Sequence, residues 1–236
     1  MTAIGVMGTS ARMHVLHVTP CYAPAWAYGR VPDAVAALAR AQVTLGHDVT
    51  VLTSDAVAPH ERLPAGERTI DGVREVRFRN VSGLVRSWLN LSTPIHLTTL
   101  ARALFASEVV DVLHLHELRT VENLIVLGVL RATPAVVAST HGTLGRIQGA
   151  RNMRARDWTL RARHLGRIDR YVADSEADAD EIRALCRRRG VTLDTKQVSV
   201  QVESGPPLVI ATAMERVYHE AAVERGGGSS DPPSPL

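Results

Sequence analysis

From residue 13 onward, short β-branched runs alternate with segments whose apolar positions recur at helical spacing. That alternation predicts a parallel sheet covered by helices on both faces. The first run, His14-Val15-Leu16-His17-Val18-Thr19, stops at Pro20, and a loop rich in Pro, Ala and Tyr leads to Pro32, where a helix can begin. Val35, Leu38, Ala39, Gln42 and Leu45 then share one helical face, and Gly46 marks its end. Asp48-Val49-Thr50-Val51-Leu52-Thr53 resumes strand character and completes a βαβ unit.

The polar residues 54–72 show no clear period and read as a long loop, after which residues 73–78 alternate like a half-buried strand. Helical patterns follow around residues 92–105, 121–130 and 176–189, and buried-looking strands at 111–116, 135–140, 168–173 and 198–202. Ser175 with Asp178 resembles a capping box in which Asp takes the Glu/Gln position. Gly205-Pro206-Pro207 breaks the chain before a helix at 208–225. The expected organisation is a flexible leader at 1–12 and a Rossmann-like, doubly wound, mostly parallel α/β domain at 13–204. A terminal helix at 205–225 packs back on that domain, and a low-complexity tail follows at 226–236.

Composition narrows the function classes. Twenty-seven Lys and Arg against 24 Asp and Glu give a net charge of +3, and only 4% of residues are aromatic. Neither the basic footprint nor the stacking surface of a nucleic-acid binder is present. Cys21 and Cys186 are far apart and form no CxxC, which argues against a disulfide framework or a thiolate zinc site and suits a reducing cytoplasm. The apolar run at 124–137 is interrupted by Arg131 and Pro134, so it falls short of the ~20 residues that span a bilayer.

Several stretches together carry a family resemblance. These are His14-Val15-Leu16-His17-Val18-Thr19-Pro20 with Tyr28-Gly29, Leu45-Gly46-His47-Asp48-Val49-Thr50-Val51, Asp111-Val112-Leu113-His114-Leu115-His116-Glu117, Ser139-Thr140-His141-Gly142-Thr143-Leu144 and Ala173-Asp174-Ser175-Glu176. In order and spacing, residues 13–186 resemble the N-terminal, acceptor-side domain of family 4 glycosyltransferases of the GT-B fold. The resemblance implies sugar transfer from a nucleotide-sugar to a glycan, lipid or small-molecule acceptor, with no cofactor. It also implies a C-terminal donor domain whose glutamate pair and basic residues are not found in this sequence, while Ala213-Met214-Glu215-Arg216-Val217-Tyr218-His219-Glu220 is similar to the family's closing helix. The expectation is therefore a truncated transferase, not competent alone, that takes nucleotide-sugar and acceptor once a donor domain is supplied. The alternative is a non-catalytic accessory module that partners a full-length glycosyltransferase.

The resemblance places His141 opposite the reacting sugar, as the candidate catalytic residue. A strand-end histidine bonded to nearby backbone is the plainer alternative. Tyr28, Gly29 and Arg30 fall in the loop after the first strand, where a helix N-terminus can meet phosphate. Family members often carry a second glycine where this chain has Arg30, which either adds a charged contact or blocks close approach of the backbone. His116, Glu117 and Arg119 lie at a strand's carboxyl end, and Gly142, Thr143, Ser175 and Glu176 complete the substrate-binding candidates. His114 and His116 alternate onto one face beside Glu117, but no further ligand is paired with them by spacing, so no metal site is assigned. Arg156, Arg163, Arg167 and Arg170, with Arg151, Arg154, Arg161 and Trp158, form a cationic stripe if their segment is helical. Such a stripe suits peripheral contact with the inner membrane face or an anionic acceptor, or is simply a solvated face.

Overall fold

The computed structural model describes residues 11–81, 93–130, 134–144, 161–194, 197–200 and 205–227. The chain begins with β1 (His14–Val18), α1 (Val31–Thr44) and β2 (Asp48–Ser54). Pro32 lies in the first turn of α1, and Gly46 reverses the chain beyond its end at a φ of 94°.

Residues 54–72 correct the expectation of a loop: they contain β3 (Ala56–Ala58), β4 (Glu61–Arg62) and β5 (Gly66–Ile70). β5 runs antiparallel to β6 (Val73–Phe78), with Ile70 opposite Val73 and Asp71-Gly72 as the two-residue turn at φ 52° and 78°. A Cβ at Gly72 would lie 2.6 Å from Val43 Cγ1, so only glycine fits this turn. β6 is an internal strand, more buried than a half-buried alternation implies. Its charges are neutralised locally, with Glu75 accepting from Arg77 at 2.9 Å and from Arg68 at 2.7 Å.

The remaining elements are α2 (Leu97–Ser107), β7 (Val112–His116), α3 (Val121–Val129), β8 (Ala135–Ser139), α4 (Ala162–Leu165), β9 (Arg170–Ala173), α5 (Glu176–Arg188), β10 (Val198–Val200) and α6 (Pro207–Gly227). α2 starts later than the periodicity suggested, because Pro94 bridges to Asn80 and His96 takes a φ of 58°. Ser175 caps α5 by accepting from the Asp178 N–H, but the capping box does not close. The Asp178 carboxylate instead accepts from the Asp174 N–H and the Thr140 hydroxyl.

The strands form one eight-stranded sheet in the order β10-β9-β8-β7-β1-β2-β6-β5, in which every pairing but β5–β6 is parallel. Alternation divides the side chains between two faces. Leu16, Val18, Leu113, Leu115, Val136 and Ala138 join the core cluster beneath α2, α3 and α5. Val15, Val112, Ala135 and Val137 pack on the other face with Ala211, Met214, Val217 and Tyr218 of α6 and Leu38 of α1. Among the described residues no helix is long and apolar enough to cross a membrane.

Candidate functional site

Two halves of the sheet diverge from β1. The chain leaves it on one side through β2 and β6 and continues on the other through β7, β8, β9 and β10. The carboxyl ends of β1 and β7 thus flank a topological switch point, the place where open α/β sheets hold ligands. On the face covered by α1 and α6, the side chains change character as the strands approach that edge. Val15 gives way to His17, Val112 to His114 and then His116, and Val137 to Ser139. All four polar side chains are buried.

Beyond β8 the backbone turns sharply. The Thr143 N–H donates to the Thr140 carbonyl at 3.0 Å, with His141 and Gly142 between them at φ 53° and 61°. Both central residues are left-handed, as in a type I′ turn, a conformation that costs energy at the non-glycine His141. Thr140 anchors the turn by donating to the Asp178 carboxylate. Glu117, just past β7, is also left-handed at φ 58°, and its N–H donates to the Ser139 carbonyl at 3.0 Å.

The buried polar side chains bond to one another. His141 Nε2 lies 2.9 Å from His116 Nδ1, His116 Nε2 lies 2.9 Å from His17 Nδ1, and His17 Nε2 lies 2.7 Å from Gln42 Oε1. Gln42 Nε2 donates to the Tyr218 hydroxyl at 2.9 Å, which lies 2.8 Å from His114 Nδ1, and His114 Nε2 lies 2.8 Å from Ser139 Oγ. Burial disfavours the imidazolium. It pushes His17 down from 6.5 to about 4, against the opposing effect of the Gln42 hydrogen bond. His114 and His116 are held well below 6.5 by burial first and by the neighbouring histidines second. Burial also raises the Tyr218 phenol, which keeps its proton.

His17, His114 and His116 bring ring nitrogens within 4.8 Å of one another, so His17 supplies the third member that spacing along the chain had not shown. A cation there would displace hydrogen bonds at all three rings and meet no carboxylate among them. The chemistry of the cluster is that of a hydrogen-bonded network.

A cavity of about 610 Å³ opens beside this network. Ala34 and Leu38 of α1 and Val209, Ile210, Met214 and Val217 of α6 give it apolar walls. His116, Ser139 and His141 line it at the strand ends, and Asp33, Arg216 and Glu220 add charge. Its size and its few polar groups at an apolar wall are those of a small-molecule site.

Of the residues singled out from the sequence, His116 and His141 line this cavity; His116 is fully buried and His141 is 4% exposed. Arg30 caps α1 and reaches the Asp174 carboxylate at 3.6 Å, and a Cβ on Gly142 would sit 3.8 Å from that same carboxylate. Arg30, Gly142 and Asp174 therefore gather on one side of the edge. Tyr28 ends a short 3₁₀ turn before Gly29, whose φ is 99°. Arg119 donates to the Leu144 carbonyl at 2.8 Å and Thr143 to the Thr140 carbonyl at 2.6 Å, so both hold loop backbone. Ser175 is committed to capping α5, and Glu176 is solvent-exposed in its first turn.

The cationic stripe is corrected. α4 ends at Leu165, Arg167 lies beyond it and donates to the Leu127 and Leu130 carbonyls, and Arg170 is buried at the start of β9 with Glu220 and Glu224 of α6. Gly166 and the following strand prevent one helix from carrying Arg163, Arg167 and Arg170 together. Arg151, Arg154, Arg156 and Trp158 lie outside the described residues. Sequence reasoning missed His17, Gln42, Ser139 and Tyr218. Their signal was polarity at alternate positions of otherwise apolar strands and on the buried faces of two helices.

Sheet order and helices define an open α/β domain with a cavity at its switch point. The glycosyl transferase 4-like domain family matches residues 31–193, and the chain belongs to that family. A solved structure described as trehalose-6-phosphate from E. coli bound with UDP-2-fluoro glucose shares the fold, with a TM-score of 0.50 at 12% identity. The match covers 86% of this chain and 54% of that one, so the chain spans about half the length of that relative. No curated protein matches the sequence.

Proposed function

We propose that this domain holds the acceptor in sugar transfer from a nucleotide-sugar, and that the acceptor has an apolar body ending in a hydroxyl. The cavity carries this reading: its walls are apolar along α1 and α6, and its polar end is His116, Ser139 and His141 at the strand ends. Transfer breaks the bond between sugar and diphosphate through an oxocarbenium-like state, so positioning the acceptor hydroxyl is one of the two tasks of catalysis. Neutralising the diphosphate is the other. We assign the second task to a donor-holding domain that pairs with residues 13–204 and their closing helix at 205–225. We place the contact with that domain at Gly29 and Arg30, ahead of α1, and family membership supports the reaction class.

Calorimetric titration with octyl β-glucoside below its micelle concentration, beside methyl β-glucoside, tests the reading. Saturable binding of the octyl compound, much weaker binding of the methyl compound, and loss of binding in His141→Ala are expected. Absence of octyl glucoside binding by the folded chain would remove the acceptor assignment. UDP-glucose belongs in the same experiment, given the ligand of the solved relative. Tight binding of UDP-glucose would place the donor in this domain and overturn the division of labour.

A further inference from the structure

The buried histidine chain has a direction. His17 and His116 lie 5.2 Å apart between ring centroids, and His116 and His141 lie 5.1 Å apart, with interplanar angles of 21° and 24°. Because their facing nitrogens are 2.9 Å apart, these near-parallel rings meet edge to edge through nitrogen, and each contact is a hydrogen bond. A neutral imidazole has one N–H and one lone pair, so a donor at one end of such a chain dictates every ring that follows. Gln42 sets the end. Its Nε2 donates to Tyr218, which leaves Oε1 as the acceptor for His17. His17 must then donate from Nε2 and accept at Nδ1 from His116 Nε2–H. His116 accepts at Nδ1 from His141 Nε2–H. The Tyr218 hydroxyl proton is left for His114 Nδ1, so His114 donates from Nε2 to Ser139 Oγ. Every donor on this path meets an acceptor.

We propose that Gln42 of α1 and Tyr218 of α6 are positioning residues which, through His17 and His116, hold His141 in the tautomer with its proton on Nε2 and its lone pair on Nδ1. The docking of the terminal helix thereby fixes the hydrogen-bonding character of a residue at the sheet edge. Gln42, His17, His116 and Tyr218 are fully buried, so water does not compete for their bonds. Reversing the Gln42 amide would reverse every bond in the chain together, which makes the network two-state. Gln42 as placed, with Nε2 toward Tyr218 and Oε1 toward His17, sets one of those states. Any group meeting His141 Nδ1 must then be a donor. Reading that donor as the acceptor hydroxyl rests on the proposed function, whereas the tautomer does not.

Ring ¹⁵N–¹H correlation spectra of the whole ligand-free chain, labelled at histidine, test the proposal near neutral pH. The expected pattern is a pyrrole-type Nε2 and a pyridine-type Nδ1 for His17, His114, His116 and His141. A protonated Nδ1 on His141, or averaged signals from both tautomers, would overturn it. Tyr218→Phe and Gln42→Met are expected to replace the single His141 pattern with averaged signals. Leu127→Ala, a core truncation on the opposite face, should leave the pattern intact although it destabilises the fold. Equal disturbance by all three would reduce Gln42 and Tyr218 to packing residues. If a variant fails to fold, the wild-type spectrum still decides the tautomer. Loss of octyl glucoside binding with the tautomer pattern intact would count against the acceptor reading alone.

Discussion

Along β1, β7 and β8 the two faces of the sheet are built from the same strands and diverge at the carboxyl end. Beneath α2, α3 and α5, inward residues stay apolar to the strand ends: Leu16 and Val18, Leu113 and Leu115, Val136 and Ala138. Under α1 and α6 the apolar start at Val15, Val112 and Val137 becomes His17, His114, His116 and Ser139 at the carboxyl edge. An apolar set there would bury as well without needing partners, since a buried polar group adds little net stability even when bonded. The polar set is concentrated at the carboxyl edge, and it is tied to two helices by Gln42 and Tyr218. One face is an apolar core along these strands, and the other carries the polar edge on which the proposed site rests.

Truncations separate the faces most strongly. Leu113→Ala should cost about 2–5 kcal/mol in urea unfolding, the range for emptying a packed core position, and should leave the His141 ring spectrum unchanged.

Acid should act through the other face. The unfolded chain protonates His17 near 6.5, while the folded chain resists until about 4. The resulting stability is fully present above the unfolded value and is lost as pH falls from 6.5 towards 4, by about 3 kcal/mol for this residue. His114 and His116 extend the same trend to lower pH. Urea midpoints that stay flat across this window would place the histidines in contact with water. Tyr218→Phe should cost about 1–3 kcal/mol, because Gln42 and His114 each lose a buried partner.

Smaller effects belong to the rim. Gly142→Ala should cost about 1 kcal/mol, set by its φ of 61° and not by crowding, since the added Cβ meets only Asp174 Oδ2 at 3.8 Å. Arg30→Ala should change stability by less than about 1 kcal/mol, as its side chain is 70% exposed in the pair with Asp174. A larger loss in thermal unfolding would make Arg30 part of the scaffold.

The parallel sheet was legible because β-branched runs and helical faces alternate so regularly from His14 to Val200. The β5–β6 hairpin was missed, although Asp71-Gly72 is its turn signal, because Gly66–Ile70 carries too few apolar residues to show a strand's period. His141 was singled out through the residues around it. Its supporting network was not, since His17, Gln42, His116 and Tyr218 are far apart in sequence and meet only when α6 folds back over α1 and the sheet. The cationic stripe failed for a related reason: helical spacing was extended across Gly166 into a strand, where Arg170 is buried and paired.

On the proposed function, ligand binds at the polar edge of the α1/α6 face. Chemical-shift mapping of the labelled chain during titration with octyl β-glucoside tests it directly. Saturable, concerted shifts of the His141 ring and of the Leu38, Ile210, Met214 and Val217 methyls are expected, with Leu113, Leu115 and Ala138 unmoved. Shifts centred on the opposite face, or none in a folded chain, would contradict it.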